Sequence, residues 1–142
     1  MDFELIFSLA GMTAFVGWGF LVISPWAPLW SDRIAGILLP SLLALGYAVL
    51  LLFFPAESGG FGSFAEVQML FNSASALMAG WIHFLAFDLV VGAWICRAAR
   101  RQGIPFWLVL PCLPLTFLFG PAGFLAFMLV RGLRSNLAVA SH

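Results

Sequence analysis

A histidine and an aspartate stand five residues apart in a stretch that is otherwise almost wholly apolar. Residues 72–97 read N-S-A-S-A-L-M-A-G-W-I-H-F-L-A-F-D-L-V-V-G-A-W-I-C-R, with His83 and Asp88 inside the run. A carboxylate near the middle of a bilayer costs at least ~2.5 kcal/mol. Asp88 must therefore be protonated, hydrogen-bonded or paired. Desolvation favours the uncharged form of each group. A neutral acid and a neutral imidazole in one site could give and take a proton, which is general acid–base chemistry.

Helical geometry limits how the two cooperate. Five residues correspond to about 140° around a helix axis, so they do not stack as i and i+4 residues do. Asn72 and Ala79 fall near the His83 stripe, and Trp81 and Gly92 near Asp88. A shared site must wrap around this helix and be completed by neighbours. Tyr47, the sole tyrosine, and Thr116 are the candidates, with Thr13 a weaker one. The structural alternative for Asp88 is a polar clasp between helices; for His83 it is a hydrogen-bonded packing role. One histidine is weak ground for a metal or haem, which take several ligands. The only other histidine is His142, at the end of the chain.

A second segment, P-F-W-L-V-L-P-C-L-P-L-T-F-L-F-G-P-A-G-F-L from Pro105, carries Pro111, Pro114 and Pro121. Proline removes a donor and frees the carbonyl four residues earlier. Pro121 should free the Phe117 carbonyl, and Gly120-Pro121-Ala122-Gly123 reads as a kink of little bulk. A broken helix can line a pocket, because irregular backbone survives at membrane depth where protein shields it. Close packing through small residues is the competing reading.

The elements that must position these residues are transmembrane helices. The 142 residues are 63% apolar and 8% charged, against about 25% charged in soluble domains. About 20 apolar residues span the hydrocarbon as a helix. Four stretches qualify: Leu5–Ser24, Ile34–Phe54, Ser73–Ile95 and Phe106–Val130. The expected fold is all-α, a four-transmembrane-helix bundle forming a single membrane domain over residues 1–142. Acids at Asp2 and Glu4 replace the basic start of a signal peptide, so the first span is expected to be retained. Trp26 and Trp30, in the first connection, suit headgroup-level anchors. Ala65–Asn72 is a candidate early start of the third span, as an interfacial turn. Arg33 and the cluster Arg97, Arg100 and Arg101 fall on one side of a four-span arrangement, and Arg131 and Arg134 on the other. The positive-inside rule then places the Arg97–Gly103 loop in the cytoplasm, in an inner or plasma membrane.

The formal net charge is zero, and a neutral chain offers no basic face to nucleic acid. There is no lysine, which excludes a Schiff-base mechanism. Cys96 and Cys112 form neither a disulfide framework nor a zinc motif. No glycine-rich phosphate loop or cysteine–histidine cluster points to a nucleotide, flavin or metal, so no cofactor is expected.

Leu39-Pro40, W-I-H-F-L-A-F-D-L over residues 81–89, L-P-C from Leu110, and T-F-L-F-G-P-A-G over residues 116–123 form a pattern. It resembles the ABA-deficient-four-like family, whose plant members are associated with neoxanthin synthesis in plastids. The resemblance covers most of the chain; the first span is its least distinctive part. It implies a four-span membrane protein with a role in carotenoid epoxide isomerisation. Opening a 5,6-epoxide to an allenic alcohol needs an acid at the epoxide oxygen and a base at a neighbouring vinylic carbon. On this reading Asp88 is the acid and His83 the base, or the reverse. Trp81, Asn72, Tyr47, Thr116, Gly120 and Pro121 are the candidate contacts for substrate. Family membership does not transfer a substrate, so two other classes stand beside the isomerase. One is a non-enzymatic carotenoid- or lipid-binding or assembly subunit of a membrane complex. The other is a small transporter or channel, disfavoured by the scarcity of intramembrane polar residues. The expected partners are membrane lipid, a carotenoid or isoprenoid ligand, and a second copy or a complex subunit.

Overall fold

The structure, a computed structural model, describes residues 1–140; His142 lies outside them. Among the described residues every regular element is helical. Helix α1 (Phe3–Val22) starts at Asp2, whose carboxylate accepts the Leu5 N–H at 3.0 Å, a standard N-cap. Helix α2 (Pro28–Arg33) runs through a π-helical turn, Ile34–Leu38, into α3 (Leu39–Phe53). Pro40 explains the turn. Its ring nitrogen cannot donate to Gly36, and the Leu39 N–H bonds to the Ile34 carbonyl five residues back. Helix α4 (Phe64–Phe71) is capped by Ser63, which accepts the Glu66 N–H at 3.2 Å. Then follow α5 (Ala74–Arg101), α6 (Phe106–Val109), α7 (Cys112–Phe119) and α8 (Pro121–Ala140).

Three helical stretches are long and apolar enough to cross a membrane: Phe3–Val22, Pro28–Phe53 and Ala74–Arg101. The second begins earlier than the expected Ile34, because Pro28 is preorganised for a first helical turn. The third runs on through Arg97, Arg100 and Arg101, which suit the negative end of a helix dipole. Ala65–Asn72 does not extend the third span; all but its last residue lies in the separate helix α4, and Asn72 is that helix's C-cap.

The fourth stretch departs most from expectation. Phe106–Val130 is not one continuous helix; it divides into α6, α7 and the first half of α8. At Gly120 the backbone takes φ 34° and ψ −87°, and the chain reverses. A Cβ placed on Gly123 would overlap the Thr116 backbone and hydroxyl. Seven residues of straight helix would separate those positions by about 10 Å. Phe124 and Phe127 pack against Trp94, with ring centroids 5.6 and 5.7 Å apart. Phe127 is fully buried in one cluster with Cys96, Val109, Cys112 and Leu113. Helices α7 and α8 therefore form a hairpin. Its tip reaches Asp88, midway along α5, and α8 returns toward the α5 C-terminus.

The reversal moves charge. Arg131 lies ten residues past Pro121, roughly 15 Å, and Arg97 and Arg100 lie roughly 13 and 18 Å past Asp88. Arg131 and Arg134, expected opposite the other arginines, return to their end. Asp32 stands there too, accepting Arg100 Nη2 on both carboxylate oxygens at 2.6 and 2.7 Å. Trp26, Trp30 and Trp107 are 78%, 64% and 70% exposed near this end, as headgroup-level anchors would be. Asp2, Glu4, Glu57 and Glu66 occupy the other end, where Phe3, Glu57 and Asn72 line one cavity.

Helix α5 is the axis of the protein. Half of its most apolar stretch is buried inside the protein, against 17% for that of Pro28–Phe53. Leu89 packs over Gly17, and Trp18 and Leu21 pack over Gly92, drawing α1 close to α5. Two apolar clusters result. One, around Ala14, Leu43, Ile82 and Leu85, joins α1, α3 and α5; the other joins α1, α5 and the hairpin.

Candidate functional site

The predicted site residues divide into three places, because α5 separates them. On the α3 side, His83 lies with Tyr47 at a ring-centroid distance of 5.6 Å and stacks on Phe87 at 4.6 Å. Both His83 and Tyr47 line a groove of about 410 Å³ between α3, α4 and α5. Its walls are largely apolar: Leu50, Leu51, Phe54, Phe61, Leu70 and Phe71. Gly80 gives the Phe71 ring its seat, since a Cβ there would lie 2.7 Å from Phe71 Cε1. His83 is itself exposed, so the imidazole is open to the groove and to the outer surface of the protein.

The groove continues into a more polar cavity of about 550 Å³, and Phe54, Pro55 and Ser75 line both. Asn72 lies here with Glu57, Ser58 and Ser73. An apolar groove ending in a few polar groups is the usual form of a small-molecule site. Asn72, Tyr47 and His83 thus belong to one continuous surface.

Trp81 lies elsewhere. It stacks on Phe7 of α1 at 5.4 Å and tilts against Phe84 at 5.5 Å. Its cavity, shared with Phe3 and Leu77, does not include His83.

Asp88, Thr116, Gly120 and Pro121 make the third place, the tip of the hairpin. Asp88 is 7% exposed, and its Oδ2 is buried without a hydrogen-bond partner. A Cβ on Gly120 would lie 2.5 Å from Asp88 Oδ1. Only glycine admits both that contact and the positive φ. Thr116 is fully buried and donates its hydroxyl to the Cys112 carbonyl at 2.7 Å, so it is turned into its own helix. Asp88 does not line the His83 groove. The five-residue spacing keeps the acid and the imidazole on different sides of α5.

One ion pair has no counterpart among the predicted site residues. The Asp32–Arg100 pair ties α2 to α5. Asp32 shows in the sequence only as an acid beside Arg33. The hairpin had a visible signal, since F-G-P-x-G concentrates turn-forming residues, but the same residues also suit a kink. Among the described residues no group of three metal-ligating side chains is gathered.

No curated protein and no solved structure matches this chain. A family model described as ABA DEFICIENT 4-like matches residues 5–127, a range containing the groove, Asp88 and the hairpin tip. The chain belongs to the ABA4-like family.

Proposed function

We propose that the protein is a cofactor-independent membrane isomerase acting on an epoxide-bearing carotenoid or related isoprenoid, bound in the groove at His83 and Tyr47. One observation carries the reading: within a protein of this family, an imidazole opens onto an apolar groove of about 410 Å³. An end ring suits such a groove, and the polyene then lies along the membrane-facing side. His83 takes the proton from the vinylic carbon beside the epoxide. The C–O bond opens, and the oxygen gains a proton to become the alcohol. No atom is added or lost, so no oxidant is required. Tyr47, whose ring centroid lies 5.6 Å from that of His83, is the hydroxyl assigned to the oxygen. Asp88, the other candidate acid, stands across α5 and acts on this site only indirectly. Three crossings and one re-entrant hairpin replace four crossings in this account. The arginine end faces the cytoplasm, by the positive-inside rule, in an inner or plasma membrane.

The test is turnover in nanodiscs supplied with a 5,6-epoxide carotenoid. The expected product has unchanged mass and an allenic end group, and His83→Gln lowers its formation by about 10²–10⁴-fold, the usual weight of a general base. Equal turnover in wild type and His83→Gln would overturn the assignment. The separation of His83 from Asp88 favours a second reading, a non-enzymatic carotenoid- or lipid-binding subunit of a membrane complex. It predicts pigment bound unchanged by wild type and variant alike.

A further inference from the structure

We propose that Asp88 and the tip of the α7–α8 hairpin form a proton-binding site at mid-membrane, distinct from the His83 groove, and that the bound proton holds the tip on α5. The inference does not depend on what the groove binds. Asp88 is 7% exposed, its Oδ2 is buried without a partner, and Oδ1 abuts Gly120. An ionised carboxylate in such a place is costly. A neutral acid has one O–H to donate and needs one acceptor.

The carboxyl abuts Gly120, at the C-terminal end of α7. The last carbonyls of a helix lack helical partners. At the end of α7, the Gly120 N–H takes the Thr116 carbonyl at 2.8 Å, and Pro121 has no N–H to offer Phe117. Among the described residues no other charge is positioned to share the site. The one ion pair among the described residues, Asp32–Arg100, stands twelve residues further along α5. On the elements packed around Asp88 the titratable groups are remote or turned away. On α5, His83 faces the groove and Arg97 is nine residues on. On α1, Glu4 stands in the first turn. On α3, Tyr47 faces His83. On α7, Cys112 donates to the Leu108 carbonyl. On α8, Arg131 is ten residues past Pro121. A metal ion has no room where Oδ2 is already enclosed, so the ligand that fits is a proton. Ionisation would leave an unpaired charge at the tip and drive the hairpin from α5.

Hydrogen exchange over residues 116–124 in nanodiscs, corrected for intrinsic rates, tests this. Wild type should lose on the order of tenfold of its protection between mildly acidic and alkaline pH. Asp88→Asn, which keeps a donor and cannot ionise, should stay protected throughout. Asp88→Leu, lacking the donor, should be less protected at every pH. Wild-type protection that does not change with pH would overturn the proposal, as would Asp88→Asn behaving like Asp88→Leu. An infrared spectrum of the unmutated protein is the second measurement. A protonated-carboxyl band that disappears at alkaline pH is expected, and its absence at acidic pH would contradict the proposal.

Discussion

Replacing Gly120 by alanine tests whether the reversal of the chain is built into the sequence. Two costs fall on the same methyl group. The backbone is at φ 34°, where an L residue is strained by about 1–3 kcal/mol. The new Cβ would also lie 2.5 Å from Asp88 Oδ1 and 3.2 Å from its carboxyl carbon. Overpacking of that kind costs about 1–3 kcal/mol, because the buried Asp88 has little room to yield. The two add to about 2–6 kcal/mol, a large part of the stability of an ordinary domain, about 5–15 kcal/mol. Gly11→Ala in α1 is the control: a Cβ there meets nothing within 4 Å, and removing a helical glycine should be neutral or stabilising by up to about 1 kcal/mol. Thermal unfolding of the two variants in one detergent gives the comparison. Gly120→Ala should melt well below wild type and Gly11→Ala at or above it. Equal melting of the two variants would refute the reasoning, since it would mean that the tip accepts a side chain and the reversal is not fixed there.

Gly123→Ala should be at least as damaging as Gly120→Ala in the same melt, because its Cβ meets the Thr116 backbone as well as the hydroxyl. Asp32→Asn should destabilise by up to about 1 kcal/mol, since it weakens a charge-assisted contact whose side chains are about 30% exposed; a double-mutant cycle with Arg100→Gln measures the coupling, which should vanish if the pair does not form. Gly80→Ala should push Phe71 from its seat and weaken ligand binding in the groove, read by titration, while leaving the melting temperature close to wild type. Cysteines introduced at Gly103 and Arg134 should be labelled from the same side of sealed vesicles and one at Phe61 from the other; labelling of Arg134→Cys with Phe61→Cys would restore a through-going fourth span.

The apolar runs made the helices and three candidate membrane-spanning segments legible, because such a helix declares itself by length and scarcity of charge. Boundaries shifted where single residues decided them. Pro28 starts a helix that composition alone began at Ile34, and the arginines of α5 remain helical because side chains at the end of a helix need not leave it. The fourth segment divides into several helices for a physical reason. Hydropathy records that 25 residues are apolar, not whether they run one way or double back, and Gly120 and Gly123 are equally compatible with a kink. Arg131 and Arg134 offered the missing hint: a hairpin collects all six arginines at one end, whereas a crossing divides them. At the candidate site, the 140° between His83 and Asp88 was legible, and their separation follows from it. That His83 would find Tyr47 while Asp88 found Gly120 depended on tertiary packing, which periodicity on one helix does not contain.

The most direct test of the account is where a bound isoprenoid lies. A carotenoid-like probe carrying a photoreactive diazirine on its end ring, cross-linked in nanodiscs and mapped by mass spectrometry, should mark peptides containing Tyr47, Phe71 and His83. Phe71→Trp, which fills the groove, should remove those adducts. Adducts confined to Trp18, Phe117 and the peptides around Asp88, unchanged by Phe71→Trp, would contradict the account and move the ligand site to the hairpin side of α5.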